Sequence, residues 1–186
     1  MSLGITFARP SRSGYGRAAR TIHWTAAALL GLSVASAWSP WPSGGPARDL
    51  VIGLHQNIGL LALALLAARA VARAIDPPPP LPAALPAWQR AAASASHLAL
   101  YALLLAVPLL GWAQAVTHGH GVSLLGIVPL PQWLPVDHEL GTAIQTWHRR
   151  LAKLLLLAVG VHVAAAAWHG LVRRDGIVER MLPTGR

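Results

Sequence analysis

The chain has no cysteine, few charges and few acidic residues to balance its basic ones. Each shortage closes a class. Without cysteine there are no disulfides, no thiolate-held iron–sulfur clusters, no zinc-finger sites and no C-x-x-C-H motif for covalent attachment of a c-type haem. Charged residues make up only 11% of the 186 positions, against about 25% in a typical soluble domain. There is no internal repeat and no phosphate-binding glycine loop.

What is present is apolar. Hydrophobic residues make up 54% of the chain, and the mean hydropathy is positive. They come in long runs, not amphipathic stripes, at about 20–39, 49–74, 91–116 and 142–172. Each run has, or nearly has, the roughly 20 residues that a transmembrane helix needs. The expected fold is all-α: an up-and-down transmembrane four-helix bundle over 20–172, between tails at 1–19 and 173–186.

The net charge of +9 invites a nucleic-acid reading, but its distribution points elsewhere. Arg48, Arg149, Arg150 and Lys153 fall on one side if the spans alternate. All other basic residues, from Arg9 to Arg186, fall on the opposite side. By the positive-inside rule both termini are cytoplasmic. The basicity is topology, with attraction to anionic membrane lipid as a by-product. No nucleic-acid partner is expected.

Residues 1–19 read as a poorly ordered tail. The basic start and Ala35-Ser36-Ala37 resemble a secretory signal, but three later spans need no cleaved signal, and cleavage would discard His23. Trp38 and Trp41 suit an interfacial aromatic belt at the outer end. Arg69 and Arg73 are expected to snorkel to the cytoplasmic surface. The stretch DPPPPLPAALP at 76–86 is a stiff link, and Pro108 should kink the third span. The loop 117–141 is long for a structureless connection. Its apolar part, LLGIVPLPQWLP, is expected to form a short helix or a cap over the bundle.

The fourth span carries His148, His162 and His169. Fourteen residues separate the first two, about 21 Å along a helix and within about 40° of one face. Histidine inside a membrane is costly and marks function by default. Depth supplies partners: His55 with His148 near the outer surface, and His23 with His162 near the inner one. Bundles build cofactor sites in this way, from facing helices. Paired neutral imidazoles fill both axial positions of a haem iron, leave no open site, and restrict the chemistry to one-electron transfer. Zinc takes four ligands, which two histidines per depth do not supply. Gly53, Gly59, Gly160 and the Ala164–Ala167 run would let a flat porphyrin approach the backbones. Any haem is non-covalent.

The motifs R-x-x-R-T-I-H-W at 17–24, G-L-H-Q-N-I-G at 53–59, S-H-L-A-L-Y-A-L-L-L-A-V-P-L-L-G-W at 96–112, and W-H-R-R-L-A-K then V-G-V-H-V-A-A-A-A-W-H-G between 147 and 170 carry a resemblance. So does the tail I-V-E-R-M-L-P. The chain resembles the bacterial cytochrome b561 family over residues 17–183. Wider relatives are the cytochrome b subunits of formate dehydrogenase and nickel–iron hydrogenase. The resemblance implies two haem b groups held from spans one, two and four, at His23, His55, His148 and His162. It also implies electron transfer between a periplasmic or peripheral donor and ubiquinone or another quinone. In some members the donor is superoxide.

The remaining residues are weighed against that frame. Arg149 and Arg150 are expected to pair with propionates of the outer haem. The net outer charge is only +1, a thin basis for steering superoxide. His97 and His169 are candidates for second-shell hydrogen bonds or for a quinone and proton site; His97 is also an alternative inner ligand. His118, His120 and His138 could bind a metal, but a solvated loop is the expectation. Trp24 and Trp147 suit the belt or packing on haem. Three rival roles stand beside the electron wire: a superoxide:ubiquinone oxidoreductase, a subunit anchoring a soluble redox enzyme, and a histidine-lined metal transporter.

Overall fold

The structure, a computed structural model, describes residues 14–38, 44–80 and 85–182. Arg9, Arg12, Trp41, Arg186, most of the N-terminal tail and part of the Pro-rich link lie outside them. Among the described residues the fold is helical, with four long helices: α1 (Arg17–Trp38), α2 (Gly45–Ile75), α3 (Ala87–Thr117) and α4 (His138–Ala167). A π-helical turn, Trp168–Arg173, extends α4, and a single 3-10 turn spans Glu179–Met181.

Local chemistry sets the helix ends. Pro46 lies in the first turn of α2, where its missing N–H costs nothing. Pro86 immediately precedes α3. Asp137 caps α4, its carboxylate accepting from the N–H groups of Glu139 and Leu140 at 3.0 Å each. That satisfies donors which the helix itself leaves free. α3 ends in a Schellman motif. Gly119 takes φ +78, its N–H donates to Val116 O, and the N–H of His120 donates to Ala115 O, both at 2.9 Å.

α2, α3 and the continuous stretch His138–Arg173 are long and apolar enough to cross a membrane. α1, with 22 residues, is not among them; Arg17, Arg20, His23, Ser33 and Ser36 dilute it. Helices pack in chain order, α1 on α2, α2 on α3 and α3 on α4. Histidine contacts show that neighbours run in opposite directions, because early residues of α1 and α3 meet late residues of α4, whereas α2 and α4 meet at early residues of both. The buried core is small: most of it sits at the α3–α4 corner, in Ala113, Ala115, Val116, Thr117, Gly141 and Val122, with Leu103 and Leu155 further along the two helices and Leu85 just before α3. Neither α1 nor α2 has a fully buried residue. Leu32, Leu50, Val71, Leu98 and Leu157 are among many large apolar side chains left exposed, as a lipid-facing surface requires.

The outer loop departs from the expected short helix. It forms a two-stranded hairpin, β1 (Ser123–Leu124) and β2 (Val128–Pro129), antiparallel. Leu125 and Gly126 both take positive φ, 54 and 70. Two such residues make the tight turn that matches strand twist, so the apolar stretch cannot continue as helix. The loop does cap the bundle: the Leu125 N–H donates to Asn57 Oδ1 on α2, and Trp133 packs edge-on against Trp112 of α3.

The bundle starts slightly earlier than expected. α1 begins at Arg17, inside the expected tail. The C-terminal segment is laced to it by Tyr15 N–H to Arg180 O at 3.1 Å, Arg20 to Leu182 O at 2.9 Å and the Trp24 indole to Met181 O at 3.0 Å. Arg69 does not point freely to the surface either. It donates to the Tyr101 hydroxyl at 2.7 Å and lies over that ring.

Candidate cofactor site: paired histidines between helices

His55 of α2 and His148 of α4 face each other with ring centres 6.3 Å apart, nearly perpendicular at 88°. His23 of α1 and His162 of α4 do the same at 6.3 Å and 63°. Imidazole nitrogens bind metals at about 2.0–2.1 Å, and roughly 1.1 Å more reaches the ring centre; two imidazoles in line on one atom thus stand about 6.3 Å apart. Both pairs have that spacing. Neither α1–α4 nor α2–α4 is among the closely packed helix pairs. The paired rings therefore reach across helices that are not packed directly on one another.

The outer pair is oriented by its surroundings. The His148 Nδ1–H donates to the Val107 carbonyl of α3 at 2.9 Å. A carbonyl only accepts, so the proton is on Nδ1 and the Nε2 lone pair is free. Ser36 donates its hydroxyl to Ser33 O at 2.8 Å and so accepts from His55 Nδ1–H at 3.0 Å. Such second partners fix tautomer and ring direction in metal sites. Gly111 makes room: a Cβ there would stand 3.2 Å from His148 Cε1. The adjacent Trp112 has its indole N–H buried without a partner among the described residues, a donor available to a carboxylate of a bound group.

The inner pair has a third member. His97 of α3 lies 5.7 Å from His162, closer than His23 does. The ring nitrogens of these three form no hydrogen bond among the described residues. Gly53 and Gly160 face open space, with nothing within 4 Å of a Cβ built there, whereas Gly59 meets Pro108 at the α2–α3 crossing.

His169 stands apart from His97. Its Nδ1 is 2.6 Å from Asp175 Oδ2, and Arg173 Nε lies 3.5 Å from the same oxygen. Burial pushes the Asp175 carboxyl up. The bonds from His169 and the Ile177 N–H, with the positive charges of His169 and Arg173, more than offset this and hold it below the ordinary carboxylate range. Arg150 lies over the Trp147 ring at 5.3 Å, and Arg149 is exposed one residue beyond His148.

Sequence reasoning missed Ser36, Gly111, Asp175 and the Arg69–Tyr101 contact. Ser36 lay inside Ala35-Ser36-Ala37, weighed only for its likeness to a cleavage signal. Gly111 had only its family motif as a signal. Asp175 was readable, six residues after His169 and next to two arginines, as a local carboxylate partner.

Apolar helices holding histidines in facing pairs define a class, the helical membrane proteins built around an intramembrane cofactor. The profile of the family described as prokaryotic cytochrome b561 matches residues 14–184. Two Escherichia coli K12 proteins, cytochrome b561 homolog 1 and homolog 2, are each 30% identical; the matches cover 87% and 90% of this chain and 93% and 90% of theirs. A Yersinia pestis protein named probable superoxide oxidase CybB is 27% identical over 89% of this chain and 93% of its own. The chain belongs to the prokaryotic cytochrome b561 family, membrane electron-transfer proteins of the b-haem type.

Proposed function

We propose that this chain is a di-haem b-type cytochrome that crosses the bacterial inner membrane four times, with both termini cytoplasmic. It carries electrons between a donor at the outer face and the quinone pool. His55 and His148 hold the outer haem and His23 and His162 the inner one, both non-covalently. Haem supplies a one-electron couple. The chain's own contribution would be to hold each group between two imidazoles and to keep the two groups at different depths.

The observation that carries this reading is the common 6.3 Å ring spacing of two pairs on facing helices. At the outer site Ser36 and Val107 O hold the protons on Nδ1, so that Nε2 of both rings is presented to the gap. Arg149, and Arg150 beside Trp147, are placed to neutralise propionates. At the inner end His97 and the His169–Asp175 pair are the candidates to bind quinone and pass it protons, since imidazole exchanges protons near neutral pH.

The test is a reduced-minus-oxidised absorption spectrum of the purified protein with haem quantified per chain. Two b haems per chain are expected. A colourless protein would sink the proposal and favour a metal-ion transporter.

The relative named probable superoxide oxidase supports a second reading, in which the outer donor is superoxide. Stopped-flow mixing of superoxide with the oxidised protein should then reduce the haems, faster at low salt because charge steering is screened by ions. Reduction no faster than that of a soluble bis-histidine haem would discard it.

A further inference from the structure

Outside the paired sites, the structure gathers His118, His120 and His138 at the outer end of the α3–α4 corner. The ring centres of His118 and His138 are 5.7 Å apart, and those of His118 and His120 are 6.3 Å apart. The backbone dictates the grouping. The Schellman motif at Gly119 turns the chain back on itself and sets His120 beside His118. The Asp137 N–H donates to Thr117 O at 2.9 Å, which draws the first residue of α4, His138, to the same place. Gly141 lets the helices close: a Cβ there would lie 2.6 Å from His118 Cε1 and 2.7 Å from its Nδ1.

His118 is also prepared as a ligand. Its Nδ1 lies 2.7 Å from the Gln114 carbonyl. A carbonyl only accepts, so Nδ1 carries the proton and Nε2 keeps its lone pair. The same device orients His148. Metal-binding imidazoles commonly show it.

We propose that His118, His120 and His138 form a binding site for a divalent transition-metal ion such as Zn²⁺, Ni²⁺ or Cu²⁺ on the outer face. Three imidazoles suit these borderline ions and leave a fourth position to water. Among the described residues no group of three ligand side chains is closed tightly enough to hold an ion as it stands. Two imidazoles on a tetrahedral ion stand roughly 5 Å apart, taking about 2.0–2.1 Å from nitrogen to metal and about 1.1 Å more to the ring centre. The observed spacings have to shrink by only about 1 Å. His120, flanked by Gly119 and Gly121, and His138 are both exposed, so side-chain rotation closes the site without moving either helix. Asp137 is engaged in capping α4 through Oδ1, which leaves the imidazoles as the principal ligands.

The experiment is isothermal titration of the purified, haem-loaded, full-length protein with Zn²⁺ in a non-chelating buffer. One Zn²⁺ per chain is expected, with no heat from Mg²⁺ or Ca²⁺, which favour oxygen ligands. His118→Ala and, separately, His120→Ala should weaken Zn²⁺ at least about 10-fold. Glu139→Gln should leave the affinity unchanged. His120 lies in an exposed turn, so its variant is the safeguard if His118→Ala unfolds; an unaltered haem spectrum certifies the fold. Zn²⁺ should also raise the unfolding temperature of the parent protein, because a ligand of the folded state stabilises it, and the shift should vanish in His120→Ala. Absence of 1:1 binding, equal affinity in His120→Ala, or loss of binding in Glu139→Gln would each overturn the proposal.

Discussion

The outer and inner histidine pairs share a 6.3 Å spacing, yet they are built by different means. At the outer pair each Nδ1 has a partner on another helix, Ser36 for His55 and Val107 O for His148. Most of the buried side chains lie at the same end, around Val116, Thr117 and Gly141. At the inner pair no ring nitrogen of His23, His97 or His162 is hydrogen-bonded among the described residues. That end is closed chiefly by a C-terminal segment laced across α1. The outer rings are oriented by the protein alone. The inner rings are only brought near each other, with a spare third. Preorganised ligands lose less freedom on binding, so the outer site should hold its haem more firmly.

The largest expected effect breaks one pair at a time. His148→Ala should lose the outer haem and keep the inner, and His162→Ala should do the reverse. Each variant would carry about one haem per chain where the proposed parent has two. Haem assay with low-temperature spectra reads this directly. If either variant lost both haems, the two sites could not be independent structures, and the contrast drawn between them would collapse.

Next comes the spare histidine. His97→Ala should retain both haems, because His23 and His162 have the in-line spacing and the 5.7 Å of His97–His162 is short of it. His23→Ala should lose the inner haem. The opposite pattern would make His97 the ligand and return His23 to a packing role beside Trp24. Mild detergent washing of the parent sharpens the same contrast: the inner haem should leave first.

Smaller effects probe the outer scaffold. Gly111→Ala places a Cβ 3.2 Å from His148 Cε1, tighter than ordinary contact. A destabilisation of about 1–3 kcal/mol is typical of such overpacking, with a shift of the outer haem's spectrum alone. Ser36→Ala removes one acceptor of His55 Nδ1–H and leaves the Ser33 carbonyl as the other; the lost hydrogen bond is worth about 0.5–1.5 kcal/mol. The outer haem's midpoint potential should move while the inner one stays. Equal movement of both would show that Ser36 acts on the whole bundle and not on His55.

These contrasts also mark where sequence stops being informative. The pairing of His55 with His148 and His23 with His162 followed from helix rise and alternating direction, which are local rules. The long apolar helices followed from run length. The partners of the Nδ1 atoms did not, because Ser36 and Val107 O come from other helices and a carbonyl has no residue type to read. The outer hairpin was hidden because LLGIVPLPQWLP is apolar in either conformation. Only the two positive-φ residues Leu125 and Gly126 decide it, and leucine rarely signals such a turn. The Schellman end of α3 left a mark that went unread, Gly119 in T-H-G-H, since glycine just past a helix end is its usual sign.

The smallest effect belongs to the inner surface, and its sign follows from Asp175. The Asp175 carboxyl is held below the ordinary range, chiefly by its bond to His169 against the opposing push of burial. In the unfolded chain it returns to about 3.9. The unfolded state thus binds more protons as pH falls through that window, and folding stability falls with it. The contribution is complete above about pH 5 and fades as pH drops through about 4 and below. Asp175→Asn removes the titrating group. The parent should be more stable than the variant at pH 6, and the gap should narrow as the pH falls below about 4. Thermal unfolding in detergent across that range reads the difference. An unchanged gap down to pH 3 would mean that the His169–Asp175 contact contributes by shape alone, and His169 would then lose its claim as the residue that hands protons across the inner surface.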